Sequence, residues 1–427
     1  MPTLLFGSLL VCFAIGVPIA VALGVATMLT VYTSDTFGLV VIPQQIFNAM
    51  NSFPLMAIPF FILAGFLMQE GGISERLVDF AKSIVGHLTG GLAMVVVVTS
   101  MFFAAISGSG AATTAAIGSI MIPAMVAAGY NLRYAGAIQA TSGALGVIIP
   151  PSIPLIIYAI AANTSVGDMF MAGVIPGLVI TLSLLIASYV VARRRGYHGT
   201  PERASFRQVA QSFSRAILAL IMPVLVLGGI YGGVFTPTEA AVVAVAYSLV
   251  VGVGAYRKIR LRDLPTIFTK SALTTAIVMI VIGTAGLFGF LLNILGIPAD
   301  IASFFLEANF NVVLFLLVVN LLLLIAGMFI EAAAAILILT PILLPVATEL
   351  GVDPVHFGII MVVNLAIGLI TPPVGINLFV AAQIAELSIV KISRAVVPYV
   401  AILFADVLLI TYLPFLSTWL PGILAGE

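Results

Sequence analysis

Nine stretches of this chain, about 4–32, 53–70, 134–163, 171–192, 216–233, 239–255, 271–293, 357–385 and 396–415, are apolar over lengths that span or nearly span a bilayer. A water-soluble fold has no polar surface left to cover that much apolar helix. Lys, Arg, Asp and Glu make up only 7% of the 427 residues, where a soluble domain carries roughly 25%. A cytosolic enzyme, a nucleic-acid binder and a disordered chain are excluded on that ground. A transmembrane β-barrel would show ten-residue alternating segments, whereas these runs are continuous. The chain is therefore an all-α polytopic membrane protein. Its formal charge is zero, so nothing steers a polyanion toward it. The single cysteine, Cys12, allows no disulfide within the chain. Met1–Tyr32 lacks a basic leading segment and a small-residue cleavage site, so it reads as a retained membrane segment. Its Gly16-Val17-Pro18 break is expected to kink one long helix rather than divide it into two.

Basic residues gather at the ends of the apolar runs. Arg193, Arg194, Arg195, Arg203, Arg207 and Arg215 form one cluster, and Arg257, Lys258, Arg260, Arg262 and Lys270 the next. Both are expected on the cytoplasmic side. The sequence also repeats itself. Pro123 and Pro345 lie 222 apart (345 − 123), as do Gly129 and Gly351, Gly136 and Gly358, Gly146 and Gly368, the pairs Pro150–Pro151 and Pro372–Pro373, and Pro176 and Pro398. Upstream the offset becomes 224 (289 − 65), with Gly65-Phe66-Leu67 against Gly289-Phe290-Leu291 and Gly72-Ile73 against Gly296-Ile297. Punctuating residues in register mark a duplication. Loop charges change sign between the halves: Arg76, Lys82 and Arg133 face Asp300, Glu307, Glu349 and Asp353, while Asp168 faces Lys391 and Arg394. The halves are therefore inverted across the membrane, 1–195 and 216–427, joined by a basic loop at 196–215. Inverted repeats of this kind characterise secondary transporters.

Four polar islands interrupt the apolar interior. They are Ser107-Gly108-Ser109-Gly110 with Thr113 and Thr114; Gly146 to Pro150-Pro151-Ser152; Gly327 to Glu331; and Gly368 to Thr371-Pro372-Pro373, continuing to Asn377. A double proline removes two backbone donors and bars the residue before it from the α region. Irregular backbone at membrane depth persists only where protein or a cavity covers it. Stretches 90–128 and 311–349 are accordingly read as re-entrant hairpins. Their tips are expected to meet broken helices at about 134–163 and 357–385, each tip-and-break pair forming a sodium site. Carbonyls with hydroxyls suit Na⁺, and half-helix N-termini suit an anion. Glu331 and Asp406 are the acids nearest the membrane interior. His87, His198 and His356 show no ligand spacing, so no metal site other than sodium and no cofactor is expected.

The run Asp353-Pro354-Val355-His356-Phe357-Gly358, then Asn364, then Ile367-Gly368-x-x-Thr371-Pro372-Pro373-Val374-Gly375-x-Asn377-Leu378 resembles the large membrane subunit of tripartite ATP-independent periplasmic (TRAP) transporters. The Ser107-Gly108-Ser109-Gly110-x-x-x-Thr114-x-x-x-Gly118 tip and the Thr236-Pro237-Thr238-Glu239-Ala240-Ala241 turn extend that resemblance over essentially the whole chain. It implies a sodium-coupled importer of organic acids in a bacterial inner membrane, such as sialic acid or a C4-dicarboxylate. It implies partners: a small four-helix membrane subunit, here expected as a separate chain, and a soluble periplasmic binding protein. It implies an elevator-type fold with a scaffold and a mobile domain. By the same resemblance, Ser107, Ser109, Gly146 and Pro150 would hold one sodium, and Gly327, Gly368 and Thr371 the other. Substrate would lie near Thr114, Ser152 and Asn377. A tripartite tricarboxylate-type subunit and a stand-alone sodium/dicarboxylate carrier are the neighbouring readings. An intramembrane enzyme would need a Ser–His pair, an Asp dyad or a metal cluster, and a channel would not need the inverted hairpins.

Overall fold

The computed structural model describes residues 1–34, 38–199, 203–307 and 311–425; positions 200–202 of the expected basic loop lie outside them. The first half comprises α1 (Pro2–Ala14), α2 (Ile19–Tyr32), α3 (Val41–Met50), α4 (Ala57–Glu70), α5 (Ile73–Val85), α6 (Gly91–Ser107), α7 (Gly110–Ala127), α8 (Leu132–Gly143), α9 (Leu145–Ile148), α10 (Ile153–Ala161) and α11 (Val166–Arg195). The second comprises α12 (Phe206–Tyr231), α13 (Pro237–Leu249), α14 (Leu264–Ile294), α15 (Ile297–Glu307), α16 (Val312–Phe329), α17 (Ala332–Glu349), α18 (Pro354–Gly368), α19 (Ile376–Ile384), α20 (Ile389–Tyr412) and α21 (Phe415–Ala425). Among the described residues, nine helices are long and apolar enough to cross a membrane, and the pair Leu132–Ile148 and Ile153–Ala161, bent by 42°, brings the number to ten when its two arms are counted as one span. This is a multi-pass membrane protein.

The inversion is visible in where each hairpin begins and ends. Tyr197 follows the Arg193–Arg195 end of α11. Its carbonyl accepts from the Gly90 amide at 3.1 Å, its hydroxyl accepts from the Asn131 amide at 3.1 Å, and its ring stacks on Tyr130 at 4.3 Å. One residue thus holds both ends of the α6–α7 hairpin, which enters and leaves by one face. In the second half the corresponding contacts lie at the end of α20. Tyr412 donates to the Val313 carbonyl at 2.9 Å, and His356, just after the hairpin, bonds Ser417 at 2.6 Å and the Thr411 carbonyl at 3.2 Å. The broken helix α8–α10 leads away from Tyr197 to this far end, where Tyr158 donates to the Pro354 carbonyl at 2.6 Å. The α16–α17 hairpin therefore opens on the opposite face. Tyr197→Phe should keep the ring stack but lose one backbone bond, lowering stability by about 1 kcal/mol; a thermal shift in detergent measures it.

Around the hairpins the two halves interlock. Helix α2 packs on α14, and α13 packs on α4, so each half's entry helix supports the other half. The Thr236-Pro237-Thr238-Glu239 turn caps α13: Thr236 Oγ1 accepts from the Glu239 amide while the Glu239 carboxylate accepts from the Thr236 amide.

Three features depart from the sequence reading. The chain start is two helices that pack on each other, not one kinked helix. Gly16 turns left-handed at φ 77°, and Pro18 offers no amide to continue a ladder. The charged stretch after Gly72 is not loop but the amphipathic α5, burying Ile73, Leu77, Phe80 and Ala81 at helical spacing. Helix α12 begins at Phe206, ahead of the apolar run at 216, because Ser205 and Gln208 cap it reciprocally.

Candidate functional site

Hairpin 1 turns at Gly108, where φ is 59°; glycine adopts that conformation without the Cβ penalty. Ser109 caps the following helix α7, its hydroxyl facing the Ala112 amide. The Thr113 hydroxyl donates to the Ser109 carbonyl at 2.8 Å and lies 2.9 Å from the Ser107 hydroxyl. Ser107, Ser109 and Thr113 thereby bring two hydroxyls and a carbonyl together at the tip. Gly146 closes on them so tightly that a Cβ there would overlap the Ser109 carbonyl and the Thr113 hydroxyl. The tip and the break are also joined directly, by the Ile153 amide donating to the Gly108 carbonyl at 3.3 Å. Pro150 sits behind this contact, toward Gly173 of α11, and the Pro151 carbonyl faces Gly108.

Hairpin 2 repeats the arrangement with different chemistry. Glu331 stands where the repeat places Ser109 (331 − 109 = 222) and caps α17, its carboxylate accepting from the Ala333 amide at 2.9 Å. A carboxylate at a helix start is favoured by the exposed amides and the helix dipole. Gly327 and Gly368 meet backbone to backbone: a Cβ on Gly327 would lie 3.1 Å from the Gly368 Cα. The Val374 amide donates to the Met328 carbonyl at 3.2 Å, and Thr371 Oγ1 to the Ile367 carbonyl at 2.7 Å. Both double-proline bonds are cis. Asp406, the other interior acid, is buried between α20 and α11 and accepts from Ser183 at 2.8 Å.

The residues expected near substrate are fully enclosed. Thr114 and Asn377 are both 0% exposed and meet at Gly110. Thr114 donates to the Gly110 carbonyl at 2.9 Å, and a Cβ on Gly110 would stand 3.2 Å from the Asn377 amide group. Asn377 donates to the Ala140 carbonyl at 3.3 Å, leaving its own oxygen buried without a partner. Ser152 lies apart from that pair, donating to the Val147 carbonyl at 2.6 Å beside Gly108. Thr113 has no assigned role in the sequence motif, although its place four residues after Ser109 is the spacing at which a hydroxyl reaches back to a helix carbonyl. Gln139, outside all four polar islands, also reaches the site: its amide approaches the Thr113 carbonyl from the broken helix at 3.5 Å. Among the described residues no group of three or more His, Cys, Asp or Glu side chains is placed to hold a metal ion.

Comparisons with known proteins agree with this architecture. The family model described as tripartite ATP-independent periplasmic transporter, DctM component, matches residues 6–416. The isethionate TRAP transporter permease protein DctMQ of Oleidesulfovibrio alaskensis is 46% identical over 418 residues; the match covers 98% of this chain and 66% of that longer protein. The C4-dicarboxylate TRAP transporter large permease protein DctM of Pseudomonas aeruginosa is 46% identical over 401 residues, 94% of each chain. The sialic acid TRAP transporter large permease protein SiaM of Vibrio cholerae is 38% identical over 422 residues, covering 99% of this chain and 98% of that one. In fold, the chain is similar to the crystal structure of the Alcanivorax borkumensis YdaH transporter, with a TM-score of 0.62 at 16% identity over 87% of this chain and 86% of that one. Inverted hairpins meeting broken helices, a family match over nearly all of the sequence and large-permease relatives matched over at least 94% of both chains lead to one assignment: the chain belongs to the DctM family, the large permease component of TRAP transporters, and is a transporter subunit rather than an enzyme.

Proposed function

We propose that this permease imports an organic acid across a bacterial inner membrane, driven by sodium, by an elevator-type movement. It would work with a small four-helix membrane subunit and a soluble periplasmic binding protein. The observation that carries this reading is the oxygen cluster at the first tip, with Ser107 and Thr113 hydroxyls 2.9 Å apart beside the Ser109 carbonyl. Small neutral oxygens in a constricted, buried place suit a hard monovalent cation. The symmetric contact of Gly327 with Gly368, beside Thr371, supports a second ion there. Arg and Lys side chains stand at the ends of the apolar helices. Bound sodium would therefore be the nearest positive charge for an anionic substrate, which couples the binding of the two.

Helices α6–α11 and α16–α21 form the hairpin-bearing body, and α1–α5 with α12–α14 the scaffold against which it moves. The relatives named for isethionate, C4-dicarboxylate and sialic acid all handle organic anions, and define the panel to test. The permease and small subunit would be reconstituted in proteoliposomes with the binding protein outside. Uptake of labelled isethionate, succinate and N-acetylneuraminate would then be followed with and without an inward sodium gradient. Accumulation of one acid that needs both sodium and the binding protein is expected. Uptake indifferent to sodium would remove the cation sites, and uptake without the binding protein would make the chain a stand-alone carrier.

A further inference from the structure

We propose that α14 carries a second docking face, formed by Gly289, Phe290 and Asn293, which receives the tip of hairpin 2 at the opposite end of the transport stroke. The inference rests on the moving-body reading above and names the surfaces between which the body travels.

The repeat makes this face the counterpart of Gly65, Phe66 and Gln69 on α4, at 224 positions in every case (289 − 65, 290 − 66, 293 − 69). Both sets line a cavity against a hairpin. On α4 the cavity is small, about 80 Å³, and its other wall is the tip of hairpin 1: Ser107, Ser109 and Ala112. On α14 it is about 340 Å³, closed by the middle of a hairpin arm, Leu337 and Pro341, together with Ile160 and Ala161 at the end of α10 and Ala49 of α3. A Cβ on Gly65 would lie 3.5 Å from the Ser107 backbone, whereas one on Gly289 would lie 3.6 Å from the Pro341 ring. The same scaffold surface thus grips one hairpin at its tip and the other ten residues past its cap (341 − 331).

Exposure agrees with that difference. Ser107 at the first tip is 6% exposed, while Phe329 at the second is 59% exposed, and Glu331 is exposed beside it. The first tip is docked and the second is not. Because the halves are inverted, exchanging their conformations yields the state that faces the other side. Hairpin 2 then seats its tip at Gly289, and hairpin 1 withdraws until Ser119 reaches Gly65 (341 − 222 = 119). Ser119 is exposed in the present state, as that exchange requires. Ten residues of helix at 1.5 Å each put the travel at roughly 15 Å. Glycine at the centre of each face leaves no side chain in the way of the passing helix.

The test uses disulfide trapping in the full permease with its small subunit, in a Cys12→Ser background. Gln69→Cys with Ala112→Cys reports the state seen here. Asn293→Cys with Ala334→Cys, its counterpart (112 + 222), reports the other end, and Gln69→Cys with Ser119→Cys reports that end independently. Linked peptides would be identified by mass spectrometry after copper–phenanthroline oxidation. With the binding protein outside and an inward sodium gradient, uptake of isethionate, succinate and N-acetylneuraminate would be measured before and after reduction. All three disulfides are expected to form, each abolishing uptake until reduced. If the first disulfide forms and blocks uptake while neither of the others appears, the second docking face is wrong and the moving body stands. If the first forms and uptake continues, the moving-body reading falls, and the docking face with it.

Discussion

Ser107→Ala should leave the protein inserted and folded but raise the sodium concentration needed for half-maximal uptake by roughly ten- to hundred-fold, since a bond to a charged partner is worth about 1.5–3 kcal/mol and each 1.4 kcal/mol is about tenfold. The Ser107 hydroxyl faces Thr113, 2.9 Å away, and supports no long-range contact whose loss would loosen the helix. Thr113→Ala should do more. It removes the second hydroxyl and the 2.8 Å bond to the Ser109 carbonyl, so the tip loses both an oxygen and its shape. Thr371→Ala is the parallel test at the second tip. From just beyond α18 its hydroxyl donates at 2.7 Å to the Ile367 carbonyl, which also accepts from the Ile370 amide, so the helix end can lose the bond at little cost. The effect there should again fall on sodium dependence rather than on thermal stability. Initial uptake rates across a sodium titration, with a melting curve for each variant, separate the two. If Ser107→Ala and Thr371→Ala both keep the wild-type sodium response, these tips are not cation sites.

Much of this architecture was legible because glycine and proline report backbone geometry directly. Pro150–Pro151 and Pro372–Pro373 at a constant offset located the broken helices, and Ser107-Gly108-Ser109 and Gly327 located the tips. Apolar residues carried less information. In a lipid-facing chain they are placed by the membrane rather than by a water-excluded core, so the periodicity that reveals a helix in a soluble protein is diluted. Helix α5 escaped notice for the opposite reason: Glu75, Arg76, Asp79 and Lys82 lie on one face of a helix whose buried side is Ile73, Leu77, Phe80 and Ala81, and its charges read as loop. At the chain start, Gly16-Val17-Pro18 is compatible with either a kink or a turn. The packing of α1 on α2 decided it, and packing is not written in the local sequence. Thr114, Ser152 and Asn377 show a further limit. Polar residues at membrane depth can be found by composition, but whether a hydroxyl faces a substrate or holds a carbonyl depends on the neighbouring helix. In this conformation all three hold carbonyls.

Gly368→Ala should abolish transport and strongly destabilise the fold, while the same change at Gly228 should be harmless or mildly stabilising. The contrast isolates what glycine does in each place. At Gly368 an added Cβ overlaps the backbone of Gly327. Backbone cannot rotate aside as a side chain can, so the tip of hairpin 2 must withdraw from the broken helix. Withdrawal opens the contact between Met328 and Val374, joined now by a 3.2 Å bond, and exposes groups that have no water at that depth. Overpacking of this kind costs typically about 1–3 kcal/mol and more where the neighbours cannot move. Gly228, within α12, has nothing within 4 Å of the position a Cβ would take. Alanine there gains helix propensity and restricts the unfolded chain, for about 0.5–1 kcal/mol of stabilisation. The melting temperature in detergent should therefore fall for Gly368→Ala and hold or rise slightly for Gly228→Ala, and uptake in proteoliposomes should be lost only in the first. A Gly368→Ala protein that melts and transports like the parent would mean that the two glycines do not need to touch, and the tip-to-break contact would lose its place in the mechanism.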